Sequence, residues 1–123
     1  MKITFLGTGT SQGVPVIACD CESCRSDDQY DKRLRTSVMI EKEDTVIVID
    51  AGPDFRQQML RENVRKLDAI LLTHEHRDHI AGLDDVRAFN HKSHDAIDIF
   101  AEERVQEEVR KDYSYVFARY QYP

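Results

Sequence analysis

The chain has 123 residues, 33% of them charged, and a net charge of −6, which suits one globular domain. No apolar run approaches the roughly 20 residues of a membrane-spanning helix, so an integral membrane protein is excluded. The first residues lack the cleavage site of a secretory signal, and three cysteines cannot form a closed disulfide set. We therefore expect a cytoplasmic protein. The acidic charge argues against non-specific nucleic-acid binding.

The predicted elements alternate between strands and helices, in chain order. Clusters of apolar and β-branched residues predict strands over residues 3–6, 36–41, 45–50, 68–73 and 97–101. The continuous β-branched run from Val46 to Ile49 further predicts a strand that is buried on both faces. Helices are predicted from Pro53 to Arg61, over 83–90 and over 102–111. The alternation indicates an α/β or mixed α+β layered fold.

Two of these helices carry a one-sided apolar pattern. In the first, Phe55, Met59 and Leu60 form the stripe, and in the last, Val105 and Val109 share one face. Beyond the last helix, five aromatic residues fall within the final 11 positions. We expect these rings to pack against another subunit or against a further part of the protein.

Three of the five histidines lie within six residues, directly after a predicted buried strand. His74 and His76 are two apart in extended chain and point to the same side, so they can hold one metal ion. Asp78 and His79 follow and can hold a second ion, which predicts a two-metal centre for a phosphoryl or acyl group. Imidazole and carboxylate ligands favour zinc, manganese or iron. The alternative is a surface histidine run without a role.

A second cluster consists of three thiols, Cys19, Cys21 and Cys24. Thiols at this spacing can share one tetrahedral zinc ion and leave one position for a fourth ligand. The alternatives are three ordinary reduced thiols or a redox pair with a spare cysteine.

The pattern His74-x-His76-x-Asp78-His79, followed by Gly82, resembles the signature of the metallo-β-lactamase-fold hydrolases. Residues 48–52 match the strand of that family that ends in Asp-x-Gly, and residues 5–10 match its first strand and loop. The resemblance implies an αββα sandwich, with residues 1–123 as the amino-terminal portion of a single metallo-hydrolase domain. It also implies that Asp50 orients the ligand loop through hydrogen bonds.

Residues 7–15 and the Cys-x-Cys-x-x-Cys pattern that follows them resemble one branch of this family more than the others. They are similar to the branch that holds the phosphoribosyl 1,2-cyclic phosphate phosphodiesterase and lies near the transfer-RNA 3′-processing ribonucleases. The resemblance implies a structural zinc ion on Cys19, Cys21 and Cys24, completed by a later histidine.

For the active site, the resemblance implies two divalent ions, zinc or manganese, on His74, His76, Asp78 and His79. Asp78 and His79 would be catalytic, and a metal-bound hydroxide would cleave a small, preferably cyclic, phosphodiester. The later ligands of the family pattern do not appear after His79, because His91 and His94 lie too close behind it. The alternative is therefore a non-catalytic metal-binding or scaffold half-domain that a partner subunit completes.

Overall fold

The computed structural model describes residues 1–118, and its elements alternate as the sequence predicts. The strands are β1 (Lys2–Gly7), β2 (Ser37–Lys42), β3 (Thr45–Ile49), β4 (Ala69–Leu71) and β5 (Asp98–Phe100). The helices are α1 (Glu22–Arg25), α2 (Phe55–Arg61), α3 (Arg77–Ile80), α4 (Arg87–Ser93) and α5 (Glu103–Asp112). Two 3₁₀ turns cover Gln29–Asp31 and Leu83–Val86. The prediction of a mixed α/β fold is confirmed.

The five strands form one mixed sheet in the order β1-β2-β3-β4-β5. Strand β2 is antiparallel to both β1 and β3, whereas β3, β4 and β5 run parallel to one another. Because β3 and β4 are parallel, the chain segments that leave their carboxyl ends lie side by side. These segments carry Asp50 and the histidine cluster.

The hydrophobic core lies on one face of this sheet. Alternate strand residues are buried there, namely Leu6, Met39, Val48 and Ile70. They join one cluster with residues of the helices that cover this face, namely Phe55, Met59, Ile80, Val105 and Val109. The sheet and its helices thus form two packed layers.

The other face of the sheet is apolar and uncovered by any described residue. Phe5 is 69% exposed and Phe100 57%, and their cross-strand neighbours are only half-buried. The prediction that Val46–Ile49 is buried on both faces is therefore wrong, since Val48 alone of these four residues is buried. A β-branched run indicates a strand, but what covers its second face depends on distant parts of the chain.

Several helix boundaries differ from the predicted ones. Helix α2 begins at Phe55, and Leu60 is 63% exposed, because only Phe55 and Met59 face the core. The predicted helix over 83–90 is a 3₁₀ turn followed by α4. In α5, Val105 and Val109 are buried as predicted. No helix among the described residues is long and apolar enough to cross a membrane.

The aromatic residues after α5 differ in their exposure to solvent. Tyr113 is buried, and its hydroxyl donates a hydrogen bond of 2.7 Å to the carbonyl of Ile80. Tyr115 and Phe117 are about half exposed. Tyr120 and Tyr122 lie outside the described residues. Tyr113 therefore needs no external partner, whereas the covering of the other rings stays a prediction.

Candidate metal centres

A sharp turn at the end of β3 points the carboxylate of Asp50 at the histidine cluster. Asp50 has a φ angle of 63°, in the left-handed region that aspartate tolerates better than most residues. Two hydrogen bonds hold this backbone: Asp50 N–H donates to Leu71 over 2.9 Å, and the Ser37 hydroxyl donates to the Asp50 carbonyl over 2.9 Å. The residue is 4% exposed. Its carboxylate is therefore fixed inside the protein.

The buried carboxylate accepts three hydrogen bonds from the histidine segment, which we define as residues 73–79. Thr73 N–H donates to Oδ1 over 2.8 Å, and the Thr73 hydroxyl lies 2.8 Å from Oδ2. Nδ1 of His79 lies 2.7 Å from the same Oδ2. Since an ionised carboxylate only accepts, His79 carries its proton on Nδ1, which orients the ring.

The structure brings the three imidazole rings together. The ring centroid of His74 lies 4.7 Å from that of His76 and 3.9 Å from that of His79. Residues 74–76 are in irregular chain, while Asp78 and His79 belong to the helical turn α3, which the sequence did not predict.

Nε2 of His79 faces Oδ2 of Asp78 over 3.1 Å. An imidazole nitrogen and a carboxylate oxygen are donor atoms that a divalent cation can share. These nitrogen and oxygen donors suit zinc or manganese, but no three of them are grouped closely enough in the described residues to hold one ion by themselves.

Two glycines allow the turn after β3 to touch the histidine segment directly. A Cβ atom on Gly52 would lie 2.0 Å from the carbonyl oxygen of Asp78, and one on Gly82 would lie 2.1 Å from the carbonyl oxygen of Gly52. The same backbones are joined by hydrogen bonds of 2.8 Å from Ala51 N–H to His79 and from Gly82 N–H to Ala51. Only glycine permits this approach.

Helix α5 forms two ion pairs with the histidine segment. Arg104 pairs with Glu75, and Arg77 pairs with Asp112 over 3.0 Å. The backbone N–H of Glu75 itself, with the charge of Arg104 added, lowers the pKa of the Glu75 carboxyl. The side chains of Glu75 and Arg77 thus pair with residues of α5.

The cysteine segment, which we define as residues 16–24, brings its three thiols together. The sulfur atoms of Cys19, Cys21 and Cys24 lie within 4.8 Å of one another, and no other such trio of ligand atoms occurs in residues 1–118. All three cysteines are free of disulfide bonds. The short helix α1 that carries Cys24 buries no residue in the core.

The thiols also influence one another. Hydrogen bonds from the Cys24 backbone and from the thiols of Cys19 and Cys24 lower the pKa of Cys21. Val16 N–H donates to the sulfur of Cys24 over 3.3 Å and acts to lower its pKa, but contacts with the thiols of Cys21 and Cys19 raise that pKa overall. A cluster of this kind fits one zinc ion, which binds thiolates.

Comparison with known proteins identifies the class. The beta-lactamase superfamily domain matches residues 45–122, and the chain belongs to this family. A diphosphatase of the PhnP family has the same fold over 94% of this chain and 47% of its own, with a TM-score of 0.86 and 45% identity. The resemblance to the metallo-β-lactamase fold is therefore confirmed.

Other relatives differ in activity. A protein of Porphyromonas gingivalis named octanoyltransferase is 47% identical over 100% of this chain and 25% of its own length. Ribonuclease Z of Bradyrhizobium diazoefficiens is 35% identical over 66% of this chain and 22% of its own. The Zn²⁺-bound PqqB of Methylobacterium extorquens shares the fold over 90% of this chain and 43% of its own, with a TM-score of 0.76 and 24% identity.

The chain spans about a quarter to a third of the length of the curated relatives it matches and less than half of the solved ones. The match to the octanoyltransferase leaves most of that protein unaligned, so its name does not assign octanoyl transfer to the aligned quarter. The ribonuclease and the diphosphatase are hydrolases.

Proposed function

We propose that this chain is the amino-terminal portion of a single metallo-hydrolase domain that cleaves a phosphodiester, preferably a small cyclic one. The single observation that carries the proposal is the buried Asp50 carboxylate, which accepts hydrogen bonds from His79 and from the backbone and hydroxyl of Thr73. The 45% identity with a PhnP-family diphosphatase supports phosphoryl chemistry.

In this proposal His74 and His76 hold one divalent ion, and Asp78 and His79 hold a second. Zinc or manganese, when bound, activates water and neutralises charge on the phosphoryl oxygens. Asp50 keeps the proton of His79 on Nδ1, so that Nε2 faces the site. The acidic protein charge does not forbid an anionic substrate, because divalent ions dominate the local field.

For the cysteine segment we propose one structural zinc ion on Cys19, Cys21 and Cys24. The distance of at most 4.8 Å between their sulfur atoms supports a shared ion, and the fourth ligand lies outside this trio. The zinc would fasten a segment that has few other contacts with the core.

The activity, location and partners of the whole protein stay proposals, because the chain covers a minor part of its relatives. We propose a cytoplasmic enzyme with a small phosphodiester substrate and no membrane partner, and nucleic acid as the less favoured substrate. Association of two copies through the aromatic residues after α5 also stays a prediction. The competing proposal is a non-catalytic scaffold half-domain that a partner subunit completes.

The test is turnover of bis(p-nitrophenyl) phosphate and of a cyclic phosphodiester by the full-length protein with zinc or manganese. We expect His76→Ala to abolish turnover, because a ligand of the first ion is lost. His91→Ala is the matched control, since His91 is exposed on α4, and should keep the wild-type rate. Undiminished turnover by His76→Ala would contradict the two-metal assignment, and an inactive wild-type protein that still binds metal would favour the scaffold.

A further inference from the structure

We propose that Thr73 is a positioning residue that fixes the tautomer of His74, so that Nε2 of this ring is the atom presented to the metal ion. The inference deepens the proposed function and rests on it. Neither the sequence pattern nor the resemblance assigns a role to this threonine, which stands between β4 and the first histidine.

The first step concerns the single proton of the Thr73 hydroxyl. Oγ1 of Thr73 lies 2.8 Å from Oδ2 of Asp50 and 3.0 Å from Nδ1 of His74. The carboxylate cannot donate, so the hydroxyl proton must point to Asp50. If it pointed to His74 instead, two oxygen acceptors would face each other at 2.8 Å without a proton between them.

The second step follows from the first. With its proton committed to Asp50, the hydroxyl has only lone pairs to offer His74. Nδ1 of His74 must therefore be the donor, and its proton is held on that nitrogen. The neutral ring then keeps a lone pair on Nε2, which is the form a metal ligand needs.

One carboxylate oxygen thus determines the position of the ring proton in both His79 and His74, directly in the first and indirectly in the second. Oδ2 of Asp50 accepts directly from Nδ1 of His79 over 2.7 Å, and it acts on His74 through the hydroxyl of Thr73. The relay depends on a hydroxyl that can donate and accept at the same time. Serine can replace threonine in this role, whereas valine, which has nearly the same shape, cannot.

The experiment measures the tautomer of His74 in the full-length, metal-free protein at alkaline pH. Long-range ¹⁵N–¹H correlation spectra distinguish a protonated Nδ1 from a protonated Nε2, and His74→Gln assigns the signals. We expect the Nδ1–H form in the wild type, a shift toward Nε2–H in Thr73→Val, and recovery in Thr73→Ser. Thr73→Ala gives the same readout if valine perturbs folding.

A matched control is Thr4→Val, because the buried Thr4 hydroxyl has no hydrogen-bond partner in the described structure. This variant should leave the His74 signals unchanged. As a second readout, chelator competition should show Zn²⁺ bound roughly 10- to 100-fold more weakly by Thr73→Val, as for other residues that orient a metal ligand.

The proposal is overturned if Thr73→Val or Thr73→Ala keeps the Nδ1–H form of His74, or if Thr4→Val shifts it equally. Its failure is distinguishable from failure of the proposed function. A tautomer that shifts as expected in a protein without phosphodiesterase activity supports the role of Thr73 and removes only the reaction.

Discussion

The two candidate metal centres are held in different ways. The histidine segment is fastened by the buried carboxylate of Asp50, by backbone contacts at Gly52 and Gly82, and by ion pairs with α5. The cysteine segment includes one short helix without a buried residue, and a hydrogen bond from Val16 N–H to the sulfur of Cys24 joins its two ends. Contacts with the rest of the protein thus hold the histidine segment, whereas the three sulfur atoms of the cysteine segment lie within 4.8 Å of one another although no residue of α1 is buried.

The largest effect should come from Gly52→Ala, which separates the turn after β3 from the histidine segment. The added Cβ would lie 2.0 Å from the carbonyl oxygen of Asp78, and neither backbone has room to move. We expect a loss of about 3 kcal/mol or more in the free energy of unfolding, at the upper end of overpacking costs, measured by urea denaturation.

Gly13→Ala is the control for that substitution. Gly13 has a φ of 76°, and the nearest atom to an added Cβ is 3.2 Å away, so the substitution adds backbone strain and only a slight steric contact. It should cost about 1–2 kcal/mol. Equal losses for the two variants would mean that close approach at Gly52 is not what holds the histidine segment.

Asp50→Asn should weaken metal binding at the histidine segment by roughly 10- to 100-fold. An amide offers one acceptor oxygen where the carboxylate now accepts from Thr73 N–H, the Thr73 hydroxyl and His79. Isothermal titration of the full-length protein with Zn²⁺ measures the change. Asp54→Asn, which disturbs the partner of Arg35 over 2.9 Å, is the control and should leave the affinity unchanged.

Cys21→Ser should lower the melting temperature of the zinc-loaded protein by a few degrees while sparing most of the metal-dependent rate. The reason is that a thiolate ligand is lost from a segment without core contacts. Differential scanning calorimetry measures the change, and the same comparison after chelation is the control. The thiols do not hold a structural ion if the difference in melting temperature between Cys21→Ser and wild type persists after chelation. The same conclusion follows if Cys21→Ser loses its metal-dependent rate while its melting temperature is unchanged.

The smallest effect should come from Arg104→Ala, which removes the partner of Glu75 in a pair whose arginine side chain is 64% exposed. We expect slightly faster amide exchange at residues 74–76 and little change in melting temperature. Lys111→Ala removes a pair with Glu108 within α5 and should not alter exchange at those residues. Identical exchange in both variants would show that α5 does not steady the histidine segment.

The sequence predicted the elements whose pattern is local. Strands β2 and β3 follow from their β-branched residues, and α5 follows from the spacing of Val105 and Val109, both of which are buried. The turns α1 and α3 are four residues each, too short for any periodicity to show. The exposure of Leu60 and of the second face of β3 depends on tertiary packing, which no short window of sequence contains.

For the candidate site, the sequence predicted which residues take part but not the hydrogen bonds between them. The structure places Asp50 beside His79, while the orienting role of Asp50 and the ligand roles of His74, His76, Asp78 and His79 stay predictions. Thr73 was missed because a threonine at a strand end has an ordinary explanation. The one available signal was its position directly before the first histidine, after a strand parallel to the one that ends at Asp50.

The strand order of the sheet has a consequence for synthesis. Each strand pairs with the strand that follows it in the chain, so no pairing must wait for a distant segment. As the chain leaves the ribosome at about 5–20 residues per second, the sheet can grow one strand at a time and place Asp50 before the histidines emerge. Until it is covered, the apolar second face makes this early intermediate a candidate for chaperone binding.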